Sequence, residues 1–146
     1  MRVSAAGLTA NVATPARGPS IYGITNKGGR LREVGIFNAS TTAFKAALQR
    51  ATAAGTRGTG LTEVNWDPVV NALAAQLTVA DTHTADATIA AGIIRQATIG
   101  ASNGAGVIWT FGDEGIIIPP GTANGLVITC PSGTGQLFEY YFDWDE

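Results

Sequence analysis

The chain has 146 residues, of which 45% are hydrophobic and only 14% are charged, and its formal net charge is −2. An average soluble domain carries roughly 25% charged residues, so we expect much of this surface to be covered by copies of the chain or by a partner. The length suits one domain with its own core, and the composition excludes a disordered chain, a disulfide framework, a membrane-spanning apolar run and a signal-peptide pattern.

Residues 1–19 are small and polar and contain Pro15, Gly18 and Pro19. This stretch predicts an extended N-terminal arm with at most one short strand, near residues 2–5. An arm on a compact domain usually reaches a partner. Residues 20–146 are then expected to form one domain.

Alternating polarity predicts strands from residue 20 onward. A short strand at 21–24 ends at the turn 26–29, and the next strand covers 31–38, with Val34 and Ile36 on the face opposite Glu33 and Phe37. Residues 43–52 have helical propensities but also alternate with period two. Their neighbours are strand-like, so we predict a strand there against propensity.

The second half of the chain continues with short strands and frequent turn signals. Asp67 before Pro68 is typical of a helix start and predicts one short helix near 68–77. Strands are predicted at 61–64, 93–99, 107–111, 116–118, 125–130 and 136–144. In the last one, Phe138, Tyr140, Phe142 and Trp144 share one face. The fold class predicted is all-β, an antiparallel β-sandwich that is jelly-roll-like.

Charge divides the chain into two unequal halves. Residues 1–60 hold eight cations and one acid, whereas residues 61–146 hold one cation and ten acids. The cations stand singly and without interleaved aromatic residues, which disfavours nucleic-acid binding. Either the two halves neutralise each other within one fold, or the basic segment of one copy meets the acidic segment of a neighbour.

Residues suited to catalysis are scarce. His83, the one histidine, lies in a polar stretch and is predicted to be an exposed loop residue, and Cys130 ends an apolar strand and is predicted to be a buried, inert thiol. A zinc site needs three or four ligands, and the acidic residues lack a calcium-loop pattern. We therefore predict a protein that is not an enzyme, with no catalytic residues, metal or cofactor.

Four stretches carry a resemblance to a known family: 31–38 (LREVGIFN), 60–63 (GLTE), 106–125 (GVIWTFGDEGIIIPPGTANG) and 141–146 (YFDWDE). In style and order they resemble small capsid cement, or decoration, proteins of tailed bacteriophages, of jelly-roll type. The resemblance implies a homotrimer on the outer surface of the capsid, at three-fold positions, made in the bacterial host cytoplasm. It also implies an arm that extends onto subunits of the major capsid protein.

The resemblance does not identify the contact residues, which we predict from the basic arm and the acidic C-terminus. We predict that Arg2 and Arg17 of the arm contact the capsid, and that Trp144, Asp145 and Glu146 contact neighbouring subunits. A tail, knob or fibre component of similar fold is the first alternative. A carbohydrate-binding β-sandwich module is the second, with Trp66 between Asn65 and Asp67 as its candidate site.

Overall fold

The computed structural model describes residues 1–9, 17–67, 69, 75–132 and 136–146, which contain fourteen strands and no α-helix. The described ranges therefore contain no helix long and apolar enough to cross a membrane. The strands are β1 (Arg2–Thr9), β2 (Ser20–Gly23), β3 (Gly29–Asn38), β4 (Phe44–Ala53), β5 (Thr56–Arg57), β6 (Val64–Asn65), β7 (Leu77–Ala80), β8 (His83–Ala85), β9 (Thr88–Ile89), β10 (Arg95–Ile99), β11 (Gly106–Thr110), β12 (Ile116–Ile118), β13 (Gly125–Thr129) and β14 (Phe138–Asp145).

Two antiparallel sheets form the body of the molecule. The first has the order β11-β3-β14-β1-β6, with β12 also on β3, and the second has the order β10-β4-β13-β2-β7, with β9 also on β4. In each sheet the strand that comes late in sequence lies between two early ones: β14 between β1 and β3, and β13 between β2 and β4. The predicted antiparallel sandwich is confirmed, and its strand order is that of a jelly roll.

The core lies between the two sheets and is rich in aromatic side chains. Phe138, Tyr140, Phe142 and Trp144 all point into it from β14, as their alternation predicts, and none is more than 2% exposed. Phe138 stacks on Phe44 of the facing sheet, with ring centroids 5.3 Å apart. Such ring pairs stabilise a fold beyond what their buried area contributes. β14, the central strand of the first sheet, therefore contributes a large part of the core.

The strand predicted against helical propensity over residues 43–52 is confirmed as β4. Phe44, Ala46 and Leu48 point into the core and are at most 4% exposed. β4 pairs with β10 on one side and with β13 on the other. Tertiary packing on both edges therefore overrides the helix preference of the alanines.

Residues 2–9 differ from the predicted arm. They form an eight-residue strand, longer than the segment predicted at 2–5, and β1 pairs with β14 on one edge and β6 on the other. Val3 and Ala5 are buried in the core. Small residues such as Ala5 fill narrow space there and give only a faint alternation in the sequence. Residues 10–16 lie outside the described residues, while Gly18 and Pro19 are buried.

The short helix predicted near 68–77 falls mostly outside the described residues, which omit 68 and 70–74. At its predicted end the structure differs, because Leu77 begins strand β7 and pairs with Gly23 of β2.

A second, smaller cluster of buried residues covers the outer face of the second sheet. Tyr22, Ala51, Ala87 and Val127 pack together there. The Arg57 guanidinium of β5 lies over the Tyr22 ring, 4.9 Å from its centroid, and burial raises the pKa of the Tyr22 hydroxyl to about 12. The outer face of the second sheet is thus partly covered by the chain itself.

Ion pairs join the two halves of the chain. Every ion pair among the described residues links a cation from the basic half to an acid from the acidic half: Arg2 to Asp143 and Asp145, Arg17 to Asp86, Arg30 to Glu114, and Arg32 to Asp145. The first of the two interpretations of the charge split, neutralisation within one fold, is confirmed for these pairs.

Candidate interaction surface

The outer face of the first sheet presents two adjacent rows of side chains near the end of β1. From β1 to β11, the first row contains Leu8, Glu139, Phe37 and Gly106, and the second contains Ala6, Tyr141, Gly35 and Ile108. Leu8 and Ile108 are each 51% exposed. We call these eight residues the outer-face patch.

Two glycines set the positions of the two aromatic rings in the patch. A Cβ atom on Gly35 would overlap the Tyr141 ring, and a Cβ atom on Gly106 would overlap the Phe37 ring. Each ring therefore lies down across the strand beside it. The two rings are inclined by 25° with centroids 6.4 Å apart, so together they form an aromatic platform on the sheet.

The outer-face patch is negatively charged. The Tyr141 hydroxyl donates to Glu33 Oε1 at 2.5 Å, and the pKa of Tyr141 is raised by burial and by this carboxylate. Glu139 is exposed and has no hydrogen bond or ion pair within the described residues. The residues outside the described ranges contain no lysine or arginine. The chain therefore supplies no cation to Glu139.

An open groove of about 410 Å³ lies beside the platform. Its lining consists of Ala6, Gly7, Leu8, Phe37, Glu139, Tyr140 and Tyr141. This size falls within the range of small-ligand sites. The lining contains one free carboxylate and no histidine, cysteine, serine or lysine, so the groove is suited to binding an apolar, planar or cationic group.

The two arginines predicted to contact a capsid are engaged within the chain. Arg2 donates from Nε to Asp143 Oδ1 at 2.7 Å and from Nη2 to Asp143 Oδ2 at 2.5 Å. Arg17 donates from Nε to Asp86 Oδ1 at 2.6 Å, with both side chains about half exposed. Capsid contact by either residue stays a prediction, and for Arg2 it would compete with an internal bidentate pair.

The three C-terminal residues predicted to contact other subunits all make contacts within their own chain. The prediction for Trp144 is wrong, because its side chain is 0% exposed and lies in the core of its own chain. Its Nε1 donates to Glu146 Oε1 at 2.8 Å, and that carboxylate also accepts from the backbone N–H of Leu77. Asp145 accepts from Arg32 Nε at 2.5 Å. Subunit contacts by Asp145 and Glu146 stay predictions.

Trp66, the candidate sugar-binding residue, is 60% exposed. The Arg2 guanidinium lies over its ring, 5.3 Å from the centroid, and so occupies one face. Asp67 accepts a hydrogen bond from the backbone N–H of Val69 at 2.9 Å. The Asp67 carboxylate beside Trp66 therefore already accepts a hydrogen bond from the backbone two residues further along the chain.

His83 is buried, and the prediction of an exposed loop histidine is wrong. It is 4% exposed in β8, and its Nε2 lies 2.8 Å from the Ser20 hydroxyl. A serine beside a histidine is an arrangement used in nucleophilic catalysis, but Ser20 is 0% exposed, so no substrate reaches its hydroxyl here. Burial lowers the pKa of His83 and favours its neutral form.

Cys130 is buried as predicted, at 2% exposure, and burial raises the pKa of its thiol to about 11. In the part of the chain that the structure describes, no group of three or more His, Cys, Asp or Glu side chains could hold a metal ion.

The outer-face patch combines residues that lie far apart in the chain. The sequence assigns Glu33, Gly35 and Phe37 to one face of their strand, and Glu139 and Tyr141 to one face of theirs. What it does not contain is the strand order that brings these two faces together with β1 and β11. The sequence does contain one indication of the patch: glycines inside strands (Gly35 and Gly106), which can accommodate aromatic rings from neighbouring strands (Phe37 and Tyr141).

Neither the scan against protein-family models nor the search of curated proteins gives a match to this chain.

Proposed function

We propose that this chain is a structural protein of a tailed-bacteriophage virion, a capsid cement protein that trimerises and clamps subunits of the major capsid protein. The outer-face patch is the observation that supports this most directly. It groups the half-exposed side chains of Leu8 and Ile108 with the partly exposed rings of the aromatic platform on one face of the first sheet. Exposed apolar residues grouped in this way mark interaction surfaces.

The jelly roll suits a protein that functions by adhesion. Its two sheets pack against each other around one core, and capsid and lectin domains share this architecture. A clamp that binds only the assembled shell adds its binding free energy to the assembled state. Several small contacts in one trimer then act together, because the second and third form at high effective concentration.

Binding to purified phage parts tests this proposal. Empty heads and isolated tails of the encoding phage are each mixed with the protein and sedimented. We expect the wild-type protein to sediment with heads and not with tails. Ile108→Asp, which places a charge in the outer-face patch, should abolish sedimentation with heads. Ile93→Asp is the matched control, because Ile93 is 46% exposed but lies outside the patch.

Other outcomes would contradict the proposal. Sedimentation with tails alone would make the chain a tail component, and binding of both variants equal to wild type would exclude the outer-face patch as the docking surface. Light scattering after size exclusion tests the trimer separately, because a free protein that stays monomeric at all concentrations would contradict trimerisation.

A carbohydrate-binding module is the second candidate, and the aromatic platform favours it. Flat aromatic rings beside a carboxylate are features that sugar sites also use, and the groove beside Phe37 and Tyr141 places Glu139 next to them. This site differs from the one predicted at Trp66. Binding on a glycan array that is lost in Tyr141→Ala would support the module, and an empty array would exclude it for the glycans tested.

A further inference from the structure

The outer-face patch contains acidic charge that the chain does not neutralise. Glu139 has no hydrogen-bonding or ion-pair partner among the described residues, and the one hydrogen bond to the side chain of Glu33 comes from the Tyr141 hydroxyl. The nine cations of the chain all lie in the described ranges, and none forms an ion pair with either carboxylate, although Arg2 attracts Glu33 electrostatically. A ligand seated in the groove would therefore meet the unpaired negative charge of Glu139.

The groove accepts hydrogen bonds but has no free side-chain donor. Its two hydroxyl groups already donate within the chain, Tyr141 to Glu33 and Tyr140 to Asp81 at 3.0 Å. The other lining side chains, apart from the Glu139 carboxylate, are apolar. A sugar presents acceptors as well as donors, whereas lysine and arginine side chains present donors only. The hydrogen-bonding character of the groove thus favours a cationic side chain over a sugar.

The aromatic platform supplies the second half of such a site. An ammonium or guanidinium group over an aromatic face is attracted by the ring quadrupole. The described part of the chain contains three such contacts, Arg2 over Trp66, Arg57 over Tyr22 and Arg95 over Phe111, at 5.3, 4.9 and 5.6 Å from the ring centroids. In the groove, Phe37 and Tyr141 provide the rings, while Leu8 and Ala6 provide apolar walls for the aliphatic stem.

We propose that the groove binds a lysine or arginine side chain of the partner protein, with its cation over the platform and beside Glu139. The inference rests on the proposed function in one respect: the partner is the protein lattice to which this chain docks. It deepens that function by naming the chemistry of the contact.

A titration of the full chain with N-acetyl-arginine methylamide tests this proposal. Binding is followed by the amide resonances of Gly35 and Gly106, which lie beneath the two rings. We expect saturable shifts with a Kd on the order of millimolar, weakened by added salt. The citrulline analogue has the same shape without the charge and should not bind. Methyl glucoside serves as the sugar probe and should not bind either.

Two variants locate the contact. Glu139→Gln should weaken arginine binding about fivefold, the scale of one exposed charge or cation–π contact. Asp113→Asn removes the same charge from an exposed turn and should leave binding unchanged. The amide spectrum of each variant reports its fold, so a loss of binding in a spectrum otherwise like wild type assigns the effect to the groove.

The outcomes separate this inference from the proposed function. Absent arginine shifts, equal binding of citrulline, or binding of the glucoside in place of arginine would overturn the cation site. If arginine fails to bind while Ile108→Asp still abolishes sedimentation with heads, only the cation site is wrong. If the arginine probe binds as expected but the protein does not sediment with heads, the cation site is supported and the capsid role is wrong.

Discussion

The Arg2 guanidinium and the Asp143 carboxylate connect the first strand of the chain to the last through two parallel hydrogen bonds, of 2.7 and 2.5 Å. The Asp143 side chain is only 4% exposed, whereas that of Arg2 is 36% exposed and continues over the Trp66 ring. The pair therefore neutralises a buried acid on the central strand of the first sheet. It explains why a basic residue stands at the start of an otherwise uncharged segment.

Removing the charge of Arg2 should destabilise the fold. Arg2→Met keeps much of the stem but leaves the buried carboxylate of Asp143 without its partner, and we expect a loss of about 2 kcal/mol in the free energy of unfolding. Urea denaturation measures it. Arg17→Met is the control, since the Arg17–Asp86 pair is exposed and should contribute no more than about 0.5 kcal/mol. Equal losses in the two variants would show that the Arg2–Asp143 pair contributes no more to the free energy of unfolding than the exposed Arg17–Asp86 pair.

The aromatic platform predicts a strong dependence on Gly35. In Gly35→Ala the new methyl group must displace the Tyr141 ring, and we expect a loss of about 2 kcal/mol. In a Tyr141→Ala background, the same glycine substitution should cost far less, because the overlap is absent. Gly100→Ala is the control, with its nearest neighbour, the Ala105 Cβ, at an ordinary 3.6 Å. A cost for Gly35→Ala that is the same in both backgrounds would contradict the platform geometry.

Stability should fall as the pH falls through the range in which His83 titrates. Burial lowers the pKa of His83 below its ordinary value of 6.5, so below that pH the unfolded chain binds a proton that the folded chain does not. The free energy of unfolding should therefore decrease when the pH is lowered from about 7.5 to about 5.5.

Comparison with His83→Gln isolates this effect, because the difference between the two proteins cancels the contribution of the carboxyl groups. The variant should lose the part of the pH dependence that His83 supplies. Since His83 is the one histidine of the chain, its titration by NMR is unambiguous. Parallel pH profiles for the two proteins would contradict a buried neutral imidazole.

Cys130 should resist thiol reagents in the folded state. With its pKa at about 11, only about one molecule in a thousand carries the thiolate at pH 8, and the sulfur is buried as well. Labelling by an aromatic disulfide reagent, followed by absorbance, should be slow in buffer and fast in denaturant. Equal rates in both conditions would show that the end of β13 is open to solvent.

The sequence predicted most strands and their inward faces, because alternation over β3, β4 and β14 is strong. It underestimated β1, where Ala5 and Gly7 stand at inward positions and give little contrast with their neighbours. It also misplaced His83, since a polar neighbourhood resembles a loop even where a short strand packs over another sheet. Polarity along the chain does not reveal which strand lies beneath which segment.

The outer-face patch was the part least accessible to sequence reasoning. Its two rows draw on β1, β3, β11 and β14, and only the strand order of the jelly roll makes these strands neighbours. From the sequence, capsid contacts are instead predicted for the basic N-terminal arm and subunit contacts for the acidic C-terminus. The structure uses those residues for internal pairs and the core, and leaves the apolar surface at the middle of the first sheet.

The position of this protein on the particle can be seen directly by high-resolution imaging of the encoding phage's virions. We expect trimers on the outer surface of the head, with the outer face of the first sheet against the major capsid protein and a lysine or arginine of that protein beside Glu139. Finding the chain on the tail, or on heads with Phe37, Tyr141 and Ile108 facing solvent, would contradict this expectation.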